Sequence, residues 1–309
     1  MDNLLTNHRL ELTHKNHFKF GYNDSWFQLR CSASDRWVVK YGPCERESGD
    51  FRSECLHAAQ IISSKTSRLP WIFMSGGIDS EIVALSFLAA KIKFKAVSIR
   101  FNDGLNRHDI QFAVDFTRKH KISHEIFDLN IVDFFASDEF LRLAHNSQCV
   151  TPQFPSLMKV MKIASLSNGY PVIGSGDCYL KKENNDWVLY EREKVASIYK
   201  FLIANRIQGC AGFFQYTPEI ILAYLRDPIV EKLLQNQIPY KPSNYDLKSE
   251  IYSNYFEFES RPKFTGYEYL QNLDQKYRST LKAKLPFCDE IFKTSHLSLA
   301  QQLSPRGSI

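Results

Sequence analysis

Pro70-Trp71-Ile72-Phe73-Met74-Ser75-Gly76-Gly77-Ile78-Asp79-Ser80 is an apolar run that stops abruptly at two glycines and passes straight into a helical pattern. The run is short enough for a buried strand, and Ser75-Gly76-Gly77 marks a tight turn at its end. Ile78, Ile82, Leu85, Ala89 and Ile92 then recur at steps of four and three, which puts one apolar stripe on a helix. A strand, two glycines and a helix aim free backbone N–H groups and the positive end of the helix at an anion, and the glycines let its oxygens approach the backbone.

Downstream the pattern alternates. Residues 94–101 and 124–129 read as strands, and 107–120 reads as a helix between them. Helical stretches at 131–145 and 155–166 precede Pro171-Val172-Ile173, a further strand that runs into Gly174-Ser175-Gly176-Asp177. Alternating strands and helices predict an α/β fold, a parallel sheet with helices on both faces. Upstream, aromatic or β-branched runs around Phe18-Phe20, Trp26-Leu29 and Trp37-Val39 form a small N-terminal antiparallel β element, followed by a helix over 50–64.

Beyond Asp177 strand signals fade, apart from a charged stretch at Tyr190, Glu191 and Glu193 that reads as a solvated hairpin and helix start. Helical patterns cover 193–205, 218–234, 246–255 and 267–284, a helical C-terminal cap. Thr217-Pro218-Glu219 is a strong helix start, with Thr as N-cap and Pro at the first helical position. Residues 304–309 look frayed. The expected division is 1–66 for the β element and first helix, 67–190 for the nucleotide core and 191–309 for the helical part.

Composition sets the frame. The chain has 309 residues, 44% hydrophobic and 24% charged, and its 14% aromatic content belongs to a folded globular protein. A net charge of +5 permits an anionic ligand but does not argue for a nucleic-acid groove. The seven cysteines are scattered without a Cys-x-x-Cys pair, so neither a zinc knuckle nor a disulfide framework is expected. No stretch reaches the length of a membrane span, and the cytosol is the expected location.

The turn itself points to ATP. Ser75 and Ser80 add hydroxyl donors, whereas Asp79 adds a carboxylate that repels a bare phosphate. Magnesium, which prefers carboxylate plus phosphate oxygens, relieves that repulsion. The Gly-x-x-x-x-Gly-Lys-Ser/Thr loop of γ-phosphate kinases is absent.

Ser75-Gly76-Gly77-Ile78-Asp79-Ser80 resembles the Ser-Gly-Gly-x-Asp-Ser signature of the pyrophosphate-loop ATPases, the adenine nucleotide α-hydrolase-like superfamily. That resemblance implies cleavage of ATP between its α- and β-phosphates, with adenylation of a substrate. Within the superfamily the chain is most similar to the synthetase domain of asparagine synthetase and of β-lactam synthetase. Gly174-Ser175-Gly176-Asp177 resembles the second glycine-rich segment, whose Asp shares magnesium with the loop Asp, here Asp79. Phe213 to Glu219 resembles the start of that family's later helices. Arg261-Pro262-Lys263 resembles its Arg-x-Lys segment, which implies a catalytic Lys263 beside a surface-loop Arg261. Met74 and Ile99 are expected to flank the adenine, whose recognition in that superfamily falls to backbone groups of neighbouring strands.

The chain departs from that pattern as well. The family's second segment carries a Glu or Tyr shortly before its Asp and a Glu after it, where this chain has Gly174, Ser175 and Cys178. The general base is therefore open. The glutaminase domain of asparagine synthetase is not expected, because the first 65 residues cannot hold it and Met1-Asp2 offers no cysteine nucleophile. The resemblance implies small carboxylate and amine substrates. A nucleoside- or tRNA-modifying enzyme and an ATP-binding module without turnover stand as alternatives.

Overall fold

The computed structural model describes residues 10–184, 186–241, 243–262, 265–285 and 288–305. Three short strands come first: β1 (Phe18–Tyr22), β2 (Ser25–Trp26) and β3 (Trp37–Tyr41), antiparallel in the order β2-β1-β3. Phe18, Phe20 and Tyr22 face Tyr41, Val39 and Trp37 across the β1–β3 register, so one face of the ribbon is a buried aromatic layer. Helix α1 (Phe51–Lys65) follows, its first turn capped by the Asp50 carboxylate, which accepts the Ser53 N–H.

The core then alternates as the sequence predicts: β4 (Leu69–Phe73), α2 (Ile78–Ala89), β5 (Lys95–Phe101), α3 (Arg107–Lys119), β6 (His124–Leu129), α4 (Ile131–Ala136), α5 (Asp138–Asn146), α6 (Phe154–Leu166) and β7 (Gly169–Ile173). These strands form one parallel sheet in the order β6-β5-β4-β7, flanked by helices. Trp71, Ile72 and Phe73 of β4 and Gly169 to Ile173 of β7 are all buried, which explains their unbroken apolar runs. The chain moves outward from β4 to β5 and β6, then returns to lay β7 on the other side of β4. A crevice therefore opens at the carboxyl ends of β4 and β7, where such sheets hold ligands.

Beyond Asp177 the expectation of fading strands is corrected. β8 (Leu180–Glu183) and β9 (Asp186–Arg192) form a hairpin, and β10 (Ile291–Ser295) returns to pair antiparallel with β9. β10 is far from its partner along the chain, so no local signal announced the pairing. The helices between are α7 (Ser197–Ala204), α8 (Pro218–Leu225), α9 (Pro228–Leu234), α10 (Asn244–Tyr255) and α11 (Gln271–Lys284), and α12 (His296–Leu303) closes the series. Thr217 caps α8 as its sequence predicts, accepting the Ile220 N–H. The end of α12 is not frayed at Ser304, whose N–H and hydroxyl bond back to Ala300, whereas residues 306–309 lie outside the described residues.

The charged stretch after β8 is not solvated either. Glu193 is fully buried, paired with Arg30 at 3.0 Å and bonded by the Tyr22 hydroxyl, with Lys200 3.8 Å away. Buried charge is tolerated only when paired and hydrogen-bonded. This cluster ties the N-terminal ribbon to α7 and, through Glu290 on Arg30, to the segment before β10.

Candidate active site

The register of β4 on β7 sets Phe73 beside Ile173, so the turns that follow the two strands, Ser75 to Ser80 and Gly174 to Asp177, emerge side by side. Both line one cavity of about 610 Å³. Gly76 sits at φ +89°, and a Cβ there would lie 1.8 Å from the Asp109 carbonyl oxygen, so only glycine makes this turn. Gly174 packs on the first turn of α2, its missing Cβ 3.1 Å from the Asp79 carbonyl.

Gly77 is the N-cap of α2 and has no side chain to satisfy its first turn. The N–H groups of Ile78, Asp79 and Ser80 have no intrahelical acceptor, and the positive end of the helix dipole lies with them. This is an anion cradle. Ser75 is exposed at its lip. The Ser80 hydroxyl differs from the expected phosphate donor, because it donates to the Gly77 carbonyl at 2.9 Å. Ser175 likewise donates to the Ala211 carbonyl at 2.7 Å, which fixes the second turn.

Asp79 and Asp177 converge, as the sequence predicts for a shared cation. The cation between them is the ammonium of Lys248, on α10. Its three N–H donors meet both oxygens of Asp79 at 2.9 Å and Oδ2 of Asp177 at 3.0 Å. Tyr252, one turn on, donates its hydroxyl to Asp79 at 3.0 Å, and the Asn244 amide donates to Asp177 at 3.0 Å. Burial of Lys248 works against its charge, but the two carboxylates outweigh it and raise its pKa.

The donor set fits magnesium. Two carboxylates already share one cation, and among the described residues no third His, Cys, Asp or Glu joins them, which leaves further positions to phosphate and water oxygens. Lys248 and magnesium would compete for the same pair of acids.

Arg261 is corrected from a surface-loop residue to a buried one. Its guanidinium holds the back of the turn and pairs with Glu81 at 2.5 Å. Lys263 lies outside the described residues. Met74 and Ile99 both line the cavity, and part of their backbone is already bonded within the protein. The Met74 N–H donates to Val97, and its carbonyl accepts the Ser98 hydroxyl at 2.6 Å. The Ile99 carbonyl accepts the Asn106 amide at 2.8 Å.

Lys248 went unseen in the sequence, and Glu191 was read there only as part of a solvated stretch. Lys248, Ile251, Tyr252 and Tyr255 follow steps of three and four, and a lysine within that apolar stripe was the available signal. Glu191 lines the same cavity from β9, and its carboxylate accepts the Tyr41 hydroxyl. Burial, with a further push from Asp177, overrides that hydrogen bond and raises its pKa to about 7.

No family model and no curated protein matches this chain. Similar solved structures include an NH3-dependent NAD synthetase from Campylobacter jejuni, 16% identical over 77% of this chain and 94% of that one, with a TM-score of 0.37. An NMN synthetase from Francisella tularensis is 14% identical over 69% of this chain and 98% of its own, with a TM-score of 0.34. A U34-tRNA thiolase from Methanococcus maripaludis is 13% identical over 84% of this chain and 82% of its own, also with a TM-score of 0.34. Similarity at this level says nothing of substrate or reaction, and the functional reading rests on the site. No described helix is long and apolar enough to cross a membrane.

Proposed function

We propose that this chain is an ATP-dependent adenylating ligase that forms an amide in the manner of the asparagine synthetase synthetase domain. The observation that carries the reading is the open N-terminus of α2, facing a nucleotide-sized cavity with Asp79, Lys248 and Asp177 clustered at the same turn. The cradle holds the polyphosphate by its N–H groups, and the glycines permit backbone contact. Met74 and Ile99 offer apolar side chains to the adenine. A substrate carboxylate attacks the α-phosphorus, the α–β bond breaks, and pyrophosphate leaves. An amine then attacks the acyl-adenylate to give an amide and AMP.

Magnesium, held by Asp79 and Asp177, would supply charge neutralisation on the phosphates. The chain's own contribution is positional and electrostatic: preformed N–H donors cost no reorganisation as charge builds. Lys248, once released from its carboxylates, adds a mobile positive charge at the turn, and the resemblance assigns Lys263 a similar role at the α-phosphate.

The test is pyrophosphate release from ATP and magnesium in the presence of pooled small carboxylic acids and ammonium, compared with Asp79→Asn. Release by the wild type that falls at least about a hundredfold in a variant whose melting curve shows it folded supports the reading. ATP binding without release under every condition favours the second reading, a binding module without turnover. That reading has one observation behind it, the lysine lodged between the two acids.

A further inference from the structure

Glu191 stands on β9 in the wall of the cavity, half-buried. The N-terminal ribbon fixes it from behind. The Tyr41 hydroxyl bonds its carboxylate, and the Trp37 indole N–H donates to its main-chain carbonyl at 3.2 Å. Among the described residues it has no ion-pair partner. The groups that face it are Asp177 and Cys178 from the turn after β7, Tyr41 from β3 and Tyr199 from α7, and its partner on β10 is Phe292. Of these Asp177 works against the ionised carboxylate of Glu191.

A carboxylate so placed has no structural duty that its burial would justify. Glu193, two residues on, is paired with Arg30 and locks the fold. Glu191 is held by one neutral hydroxyl and opens onto substrate space. Burial and Asp177 keep its affinity for a proton near neutrality, where a group can both accept a proton and lose it again between turnovers.

We propose that Glu191 is the general base of the amide-forming half-reaction, receiving the proton of the attacking nitrogen, with Tyr41 as its positioning residue. The proposal rests on the adenylation reading above. In the step, the lone pair of a neutral amine forms the C–N bond to the acyl carbon. The bond from that carbon to the phosphate oxygen breaks, and its electron pair leaves with AMP. The nitrogen proton passes to a Glu191 oxygen, so amide, AMP and a neutral Glu191 account for every atom and charge. The open question of the base then has an answer from outside the second glycine-rich turn, since neither Gly174 nor Ser175 offers a carboxylate.

The full chain, labelled with 13C at glutamate side-chain carboxyls, is titrated by NMR, with Glu191→Gln identifying the resonance. In parallel, exchange of labelled pyrophosphate into ATP with pooled carboxylic acids reports adenylation, and amide formation from the same pool with methylamine reports the second step. We expect a midpoint near 7. Amide formation in Glu191→Gln should fall at least about a hundredfold relative to exchange and lose its rise with pH. Tyr41→Phe should move both the midpoint and the kinetic limb upward, because the hydroxyl that favours the charged form is gone; a purely structural role would leave the limb where it was. Melting curves confirm that each variant is folded. Exchange and amide formation falling together, or a midpoint at the ordinary 4.5, overturns the base assignment alone. A wild type without any exchange overturns the adenylation reading, and the base assignment with it.

Discussion

The guanidinium of Arg261 donates twice to one carbonyl, that of Gly76, through Nε at 2.9 Å and Nη2 at 2.7 Å. The backbone at Gly76 is left-handed, and the arginine receives the carbonyl that the turn presents. The same guanidinium bonds Glu81 on α2 and the Glu259 carbonyl, and stacks over Phe112 of α3 at 4.4 Å. One side chain thus joins the segment after α10 to the turn, to α2 and to α3.

Arg261→Met should therefore damage fold and ligand binding together. Hydrogen bonds from a charged donor are worth about 1.5–3 kcal/mol each to lose when the acceptor stays buried, so a loss of several kcal/mol is expected. Arg261→Lys keeps the charge but not the planar fork, and should fall between. Urea unfolding and calorimetric titration with ATP check both. Wild-type stability in Arg261→Met would mean that the turn holds its own shape.

The two glycines of the turn should respond in opposite ways. At Gly76 an added methyl group meets the main chain of Asp109 at 1.8 Å with φ at +89°, and a backbone cannot rotate aside. Gly76→Ala should lose more than about 3 kcal/mol or fail to fold. At Gly77 the nearest atom is the Ser75 hydroxyl at 3.4 Å, and φ is −78°. Gly77→Ala should keep its stability to within about 1 kcal/mol. ATP affinity should nonetheless drop tenfold or more, about 1.4 kcal/mol, because the methyl group stands where phosphate oxygens approach. Melting curves and ATP titration of the two variants decide it, and equal ATP affinity in Gly77→Ala would remove the phosphate from this turn.

The sheet and the turn were legible because their signals are local: β4 stops at glycines, α2 follows at helical period, and the inner strands β4 and β7 are apolar runs. Asp79 and Asp177 were legible for the same reason, each standing just after a strand. Lys248, Arg261 and Glu191 were not. Their roles arise from contacts across 169, 185 and 150 residues of chain, respectively, to Asp79, Gly76 and Tyr41. Charged residues are mostly solvated, so Glu191 and Arg261 read as surface residues and Lys248 drew no reading of its own. The third sheet escaped in the same way, since β10 finds β9 only after the helical part has folded back.

The pH dependence of stability should carry the mark of Glu191. Its folded pKa, about 7, is raised above the ordinary 4.5, so the native state binds a proton that the unfolded chain has released. Between those values stability falls as pH rises; the favourable contribution is complete below 4.5 and lost above 7. The span is of the order of 1–3 kcal/mol, the upper figure reduced by the opening onto the cavity. Glu191→Gln removes the ionisation and should stabilise the protein at pH 8 more than at pH 5. Chemical denaturation of both proteins at the two pH values measures the difference, and parallel profiles would place the carboxylate in an ordinary solvated setting.

Lys248 yields the sharpest prediction, because its ammonium spends all three donors on Asp79 and Asp177. In Lys248→Met the side-chain volume is kept and the charge is lost. The Tyr252 hydroxyl still answers Asp79 and the Asn244 amide still answers Asp177. Like charges that lose the ammonium they share in a half-buried site should lower stability by about 1–3 kcal/mol at low salt. Magnesium prefers such oxygen ligands and, in the variant, no longer competes with the Lys248 ammonium. Its binding to the folded state alone should recover stability in proportion to RT ln(1 + [Mg2+]/Kd), whereas the wild type should respond weakly to the metal without nucleotide. Melting curves across a magnesium series, with calcium and raised sodium chloride as controls for general screening, separate the cases. The double variant Lys248→Met with Asp79→Asn should be insensitive, since one carboxylate of the pair is gone. If magnesium moves the wild type and Lys248→Met equally, the two carboxylates do not form the metal's site and the lysine holds them for the fold alone.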